Sequence, residues 1–94
     1  MTATGQVTAL RLTIRGRVQG VFYRDWTVEN ARELGLVGWV RNEADGTVAA
    51  HLEGEAQAVE TMVARMQDGP PHAAPKRIER REVEPEGLAG FERR

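Results

Sequence analysis

Hydrophobic and polar residues alternate at the start of the chain, between Val7 and Arg15. A period of two places successive side chains on opposite faces of an extended strand. One set is apolar and the other polar: Leu10, Leu12 and Ile14 against Arg11, Thr13 and Arg15. The pattern predicts a β-strand with one buried face.

Two later stretches carry apolar residues at helical spacing instead. The first is Tyr23–Leu34, and the second is Glu55–Gln67, which the Gly-Pro-Pro turn after Asp68 ends. The positions that we expect to face a core are Tyr23, Thr27, Ala31 and Leu34, then Ala56, Val59, Met62, Val63 and Met66. Both stretches are predicted to be amphipathic helices on the surface of a sheet.

Two more strands are predicted at Leu36–Asn42 and Thr47–Gly54. The four residues between them, Glu43–Gly46, contain an Asp-Gly pair, which is typical of hairpin turns. These two strands should therefore pair with each other in antiparallel fashion.

The last third of the chain has a weaker pattern. A strand is predicted at Lys76–Glu84, but Ile78 and Val83 have opposite parity, so we expect a bulge or an irregular strand there. The tail, Glu86–Arg94, is expected to add a short final strand through Phe91.

The predicted order of elements is βαββαβ. Two helices packed on one face of an antiparallel sheet make the ferredoxin-like α+β sandwich. With 94 residues, 40% of them hydrophobic, the chain is expected to form a single domain over residues 1–94.

Composition narrows the classes of function. The 13 basic and 14 acidic residues leave a net charge of −1, which argues against binding to nucleic acid or to an anionic membrane. The chain contains no cysteine, so disulfides, thiol catalysis and cysteine metal sites are excluded. Met1–Gln6 is too short and polar for a signal peptide. We expect a cytoplasmic monomer.

The segment Gly16–Arg24 links the first strand to the first helix. Two glycines four residues apart allow a sharp turn and a close approach of the backbone to a ligand. Backbone N–H groups of such a turn and of the following helix start favour an anion, and Arg24 can add a bidentate grip on phosphate. The spacing fits neither common nucleotide loop, so a cradle for a small phosphate is predicted.

A second candidate, Asn42, ends a strand beside the Asp-Gly turn. In a βαββαβ fold this strand end borders the same edge of the sheet as the first loop. The amide of Asn42 carries both a donor and an acceptor, so it could hold a water and a phosphate oxygen together.

At these two segments the chain closely resembles the acylphosphatase family. The family signature, Gly-x-Val-Gln-Gly-Val-x-Phe/Tyr-Arg, is met by Gly16, Val18, Gln19, Gly20, Val21, Tyr23 and Arg24. The second segment is matched by Gly38, Trp39, Val40, Asn42, Asp45, Gly46 and Val48. The resemblance extends through Gly54 and more loosely to Phe91. Arg81 and Arg93 depart from it, since apolar residues are usual at both positions.

The resemblance implies an enzyme that hydrolyses acyl phosphates to a carboxylate and inorganic phosphate. It implies that Arg24 binds the substrate phosphate and that Asn42 positions the attacking water. The backbone of Gln19, Gly20, Val21, Phe22 and Tyr23 would form the phosphate cradle. Free phosphate or sulfate is the expected competing anion. Acetyl phosphate, carbamoyl phosphate and 1,3-bisphosphoglycerate share the reactive bond, so the acyl group stays open.

This chemistry needs few groups. The leaving carboxylate has a conjugate acid with a pKa of about 4–5, so it departs without a general acid. Fixed N–H donors and one arginine can stabilise the phosphoryl charge, and the substrate's own phosphate can accept the proton of the water. We therefore expect no cofactor and no metal. His51 and His72 lack ligand spacing, and His51, expected on an exposed strand face, would be the first general base to test.

Three other hypotheses fit the same fold. An RNA-binding module would show aromatic residues on the first and third strands, where Arg11, Thr13, Arg15, Ala49 and His51 stand instead. A sensor could bind a phosphorylated metabolite in the same cradle without turnover, although the presence of both Arg24 and Asn42 favours turnover. The domain could also belong to a larger maturation enzyme, but without a cysteine zinc motif a free-standing domain is expected.

Overall fold

A computed structural model describes residues 7–94 of the chain, so the prediction for Met1–Gln6 lies outside the described residues. The elements follow the predicted order. They are β1 Val7–Arg17, α1 Tyr23–Glu33, β2 Val37–Asn42, β3 Val48–Glu55, α2 Ala56–Asp68, β4 Ala74–Glu82 and β5 Phe91–Arg93. No helix in this part of the chain is long and apolar enough to cross a membrane.

The strands form one sheet in the order β4-β1-β3-β2-β5. The central pairs are antiparallel, whereas β5 runs parallel to β2, with Phe91 opposite Gly38. The βαββαβ sandwich is confirmed, and the edge strand β5 makes its sheet mixed instead of wholly antiparallel. That residues 1–94 form a single domain stays a prediction.

The core lies between the helices and one face of the sheet. Most of its fully buried side chains come from the positions that the apolar periodicities mark, among them Leu12, Ile14, Ala50, Leu52, Val59, Met62 and Met66. The expectation for Ala56 is wrong, because this first residue of α2 is exposed. Burial of apolar area is the main stabilising contribution to such a sandwich. Gly38 lets β2 lie close to the backbone of β3, because a Cβ there would overlap the carbonyl oxygen of His51.

Ile78 and Val83, whose opposite parity predicted a bulge or an irregular strand, do not both lie in β4. Strand β4 ends at Glu82, so Val83 lies beyond it, although its N–H still donates to the carbonyl oxygen of Ala9 at 3.1 Å. The one register shift between β1 and β4 falls at the other end, between Arg15 and Gly16. The irregularity therefore lies near Lys76 inside β4, and the pairing from Arg77 to Glu82 is regular.

The expectation that His51 is exposed is wrong. His51 does lie on the face of β3 opposite the helices, but it is fully buried there. The ring of Trp39 stacks on it at 6.0 Å, and the Glu53 carboxylate lies 2.7 Å from its Nε2. Glu53 also accepts hydrogen bonds from the backbone N–H groups of Glu86 and Gly87, so the segment after β4 is held against this face.

Burial acts to raise the pKa of Glu53, but hydrogen bonds from His51, Glu86 and Gly87 outweigh it and hold the pKa below its usual range. A depressed pKa in the folded state means that the ionised carboxylate stabilises the fold above the ordinary value of about 4.3. That contribution is lost as the pH falls through the folded-state pKa.

We therefore expect Glu53→Gln to lower the free energy of unfolding by about 1–3 kcal/mol at pH 7. The amide has only one acceptor oxygen and no charge, so at least one of the N–H donors loses its acceptor. The difference from the wild type should shrink as the pH falls through the folded-state pKa of Glu53. Urea unfolding at a series of pH values measures it, with the exposed Glu84→Gln as the control. A difference that grew on acidification would contradict the assignment.

Candidate active site

A cavity of about 520 Å³ opens where β1 leads into α1. Its walls come from the β1–α1 loop (residues 18–22), the first turn of α1, the end of β2, the α2–β4 loop and β5. The lining residues are Val18, Gly20, Val21, Phe22, Tyr23, Arg24, Asp25, Asn42, His72 and Arg93. Segments that are far apart in sequence therefore meet in one pocket.

The β1–α1 loop has two residues in the left-handed region. Gly20 has φ 74°, a value that glycine adopts without steric cost. Phe22 has φ 70° and ψ 15°, although it carries a large side chain that is 77% exposed. Such a conformation costs about 1–3 kcal/mol and persists only where the surrounding structure imposes it.

Helix α1 presents its N-terminus to the cavity. Its first helical hydrogen bond is donated by the Trp26 N–H to the carbonyl oxygen of Phe22, at 3.0 Å. The N–H groups of Tyr23, Arg24 and Asp25 precede that bond, and no side chain caps the helix. These donors and the positive end of the helix dipole favour a bound anion.

Tyr23 anchors this helix start. Its hydroxyl donates to the carbonyl oxygen of Met66 at 2.7 Å, and burial raises its pKa well above the ordinary value. The ring is 1% exposed. The cavity wall is thereby tied to the end of α2, so thermal motion of the helix start is restrained.

Arg24, half-buried in the wall, reaches the end of the sheet. Its Nη1 donates to the backbone oxygen of Arg94 at 3.0 Å, and the Arg94 N–H donates to the carbonyl oxygen of Val40 at 2.7 Å. Asn42 follows Val40 two residues along β2. The Arg24 guanidinium is therefore fixed to a residue that is bonded to β2, the strand that carries the Asn42 amide.

Gln19 joins the loop to the β2–β3 hairpin. Its Nε2 donates to the carbonyl oxygens of Glu43 and Thr47, both at 2.8 Å. Within the hairpin, Thr47 donates from its N–H and its hydroxyl to Asp45, and these bonds hold the pKa of that carboxyl below its usual range. The loop and the hairpin that carries Asn42 thus form one connected unit.

The structure brings together Arg24, Asn42 and the segment Gly20–Tyr23, but Gln19 is not part of the cavity wall. Three polar residues of the wall were missed. Asp25 and Arg93 form an ion pair at 3.1 Å, and His72 comes from the α2–β4 loop. Asp25 directly follows Arg24 on the first turn of a predicted helix, and this local signal could have identified it. Arg93 and His72 reach the wall only through the tertiary placement of β5 and of the α2–β4 loop.

Within residues 7–94 no group of three or more His, Asp or Glu side chains is placed to hold a metal ion. The two histidines lie apart, His51 beneath Trp39 on the open sheet face and His72 on the cavity wall. His72, and not His51, is therefore the histidine that could take part in chemistry in this pocket.

Comparison with known proteins identifies the class. Residues 10–93 match the family model described as acylphosphatase. A protein of Rubrobacter xylanophilus named acylphosphatase is 50% identical over 98% of this chain and 84% of its own length. The structure of an acylphosphatase from Coxiella burnetii superposes with a TM-score of 0.92 at 32% identity, covering 99% of this chain and 100% of that one. Full-length HypF, in a phosphate- and nucleotide-bound form, has a TM-score of 0.86 at 26% identity, with coverage of 99% of this chain and 12% of HypF.

The sandwich and its anion-favouring cavity thus place the protein among small α+β phosphohydrolases. More closely, the chain belongs to the acylphosphatase family. It is an enzyme that hydrolyses acyl phosphates, which removes the hypothesis of a sensor without turnover. The HypF match shows that the same fold also occurs as a small part of a larger protein.

Proposed function

We propose that the β1–α1 loop and Arg24 hold the phosphate of an acyl phosphate, while Asn42 positions the water that attacks phosphorus. The observation that carries the proposal is the convergence of these groups, from two separate elements, on one cavity. The N–H groups at the start of α1 supply donors in fixed positions, and the guanidinium of Arg24 supplies positive charge.

The charge that develops on the phosphoryl oxygens is the main electrostatic demand of the reaction. Donors that are already oriented before the reaction stabilise that charge without having to reorient. Arg24 is held by the backbone oxygen of Arg94, which leaves further N–H groups of its fork for phosphate oxygens. The loop and Arg24 therefore account for binding and for charge stabilisation.

Asn42 serves the nucleophile. Its side chain lines the cavity, is exposed, and has no hydrogen-bond partner among residues 7–94. An amide can accept a hydrogen bond from a water and donate one to a phosphate oxygen at the same time. Holding the water near phosphorus lowers the entropic part of the barrier.

The remaining steps need no further catalytic group. The bond between phosphorus and the bridging oxygen breaks, and its electron pair leaves with the carboxylate. The attacking water forms the new bond to phosphorus, and its proton passes to a phosphate oxygen. Because the conjugate acid of the leaving group has a pKa of about 4–5, no general acid is required.

The activity is accordingly expected to be nearly flat between about pH 6 and 8 and insensitive to chelators. A guanidinium stays charged and an amide stays neutral throughout this range. A kcat profile from about pH 5 to 9, with and without chelator, measures both. A bell centred near neutrality would contradict the scheme, and His72 would then be the residue to replace.

The test of the proposed function is phosphate release from benzoyl phosphate, with inorganic phosphate and sulfate added as competing anions. We expect turnover by the wild type and competitive inhibition by both anions. Absence of turnover, or inhibition that does not compete with substrate, would refute the assignment of the cavity.

The open face of the sheet supports the prediction that nucleic acid is not a partner. Trp39, the aromatic residue there, is only 3% exposed beneath three guanidinium groups, 4.6 to 5.1 Å from its ring. Each of those arginines also pairs with a glutamate; the pairs are Arg11–Glu86, Arg41–Glu43 and Arg94–Glu92. RNA-binding sheets of this topology stack bases on accessible aromatic rings. That the enzyme is a cytoplasmic monomer stays a prediction.

A further inference from the structure

The cavity offers more room and more charge than a phosphate group needs. Its volume is about 520 Å³, whereas one water occupies about 30 Å³ in the liquid and a phosphate group is only a few times larger. Besides Arg24, the wall carries a second guanidinium, that of Arg93 on β5. The part of the cavity that phosphate leaves unoccupied is available to the acyl group.

We propose that Arg93 forms an acyl-group subsite that favours acyl phosphates with a second negative charge, a carboxylate or a phosphate, on the acyl group. The inference rests on the proposed function, because it takes the loop and Arg24 as the site of the transferred phosphate. The substrate class is then an acyl phosphate with an anion at each end.

The contacts of Arg93 favour this role. Within residues 7–94 its one ion pair is with Asp25, from Nη1 to Oδ1 at 3.1 Å. A guanidinium has five N–H donors in a fixed plane, so this single contact orients the group and leaves donors for a ligand. The Arg93 side chain is 52% exposed, which leaves it accessible from the cavity mouth.

The charge balance of the wall points the same way. Asp25 lies beside Arg24 and opposes any anion in the cavity, while Arg93 offsets that charge locally. The Arg93–Asp25 ion pair would contribute little to the stability of the fold as a link between α1 and β5, because exposed ion pairs stabilise proteins weakly. A cation that is oriented by a carboxylate and faces a substrate cavity is better suited to recognising a second anion.

The experiment compares benzoyl phosphate with 4-carboxybenzoyl phosphate, which differ by one distant carboxylate. Arg93→Gln is expected to lower kcat/KM about tenfold more for the carboxylated substrate than for benzoyl phosphate, since a hydrogen bond to a charged group is lost. The effect should lie mainly in KM, because the contact is remote from phosphorus. Arg81→Gln, on the far part of β4, is the matched control and should leave the ratio of the two substrates unchanged.

A second variant keeps the inference falsifiable if Arg93→Gln folds poorly. Asp25→Asn removes the opposing carboxylate and releases Arg93, so the same ratio should rise severalfold. The quantity compared is kcat/KM for the carboxylated substrate divided by kcat/KM for benzoyl phosphate. If either folded variant left this ratio unchanged, the subsite would be wrong. Failure of the proposed function is distinguishable, since Arg24→Ala would then leave hydrolysis of benzoyl phosphate by an otherwise normal enzyme unchanged.

Discussion

Arg24→Ala is expected to lower kcat/KM for benzoyl phosphate by about 10²–10³-fold, because the proposed donor to the phosphoryl group is lost. Arg24→Lys should recover little of this. One ammonium restores the charge but cannot reproduce the planar fork, which can donate to two phosphate oxygens while it holds the backbone oxygen of Arg94. Initial rates of phosphate release over a range of substrate concentrations measure both variants.

Arg81→Ala is the control for loss of an arginine. Arg81 is exposed and pairs with Arg11 in the sheet, so it lies about 20 Å along β1 from the β1–α1 loop. Its kinetics should match those of the wild type, and thermal unfolding should show that all three variants are folded. Near-normal kinetics in Arg24→Lys would mean that Arg24 acts only as a diffuse positive charge, and the proposed grip would be wrong.

Asn42→Ala is expected to reduce kcat by about 10²-fold and to leave the inhibition constant of inorganic phosphate nearly unchanged. The two effects separate under the proposed roles, in which the loop and Arg24 hold the anion and the amide holds the water. Asn42→Asp should in addition weaken phosphate binding, since a carboxylate in the cavity repels the anion. Steady-state kinetics with phosphate as a competitive inhibitor give both quantities.

The matched control for this amide is Gln57→Ala, at an exposed position on α2 outside the cavity. It should change neither kcat nor phosphate inhibition. If Asn42→Ala instead lost phosphate affinity and kept kcat, the roles of Asn42 and Arg24 would have to be exchanged.

The parts of the site that the sequence predicts are those with a local signal. Gly16–Arg24 is a contiguous pattern at a strand-to-helix junction, and Asn42 is marked by the Asp-Gly turn beside it. The resemblance to a family adds the roles of these residues. Of the residues to which the resemblance assigns a role, all except Gln19 line one cavity. Gln19 instead connects the loop to the hairpin, a contact between segments that are 24 and 28 residues apart.

The parts that the sequence does not predict depend on tertiary structure. Arg93 reaches the cavity because β5 docks parallel to β2, and a three-residue strand carries almost no periodic signal. His51 has the alternation of an exposed residue, but the segment at Glu86 and Gly87 and the ring of Trp39 cover it. The left-handed Phe22 is contrary to the preference of its residue type, so no propensity argument could have found it.

The strained backbone at Phe22 has a consequence for how substrate arrives. Because folding itself imposes the conformation of the loop, the entropy cost of ordering it falls on folding and not on the encounter with substrate. Binding then requires no ordering of a disordered segment, so we expect no slow conformational step before substrate binds. A small enzyme with little core can in this way present a rigid receptor, at the expense of some of its own stability.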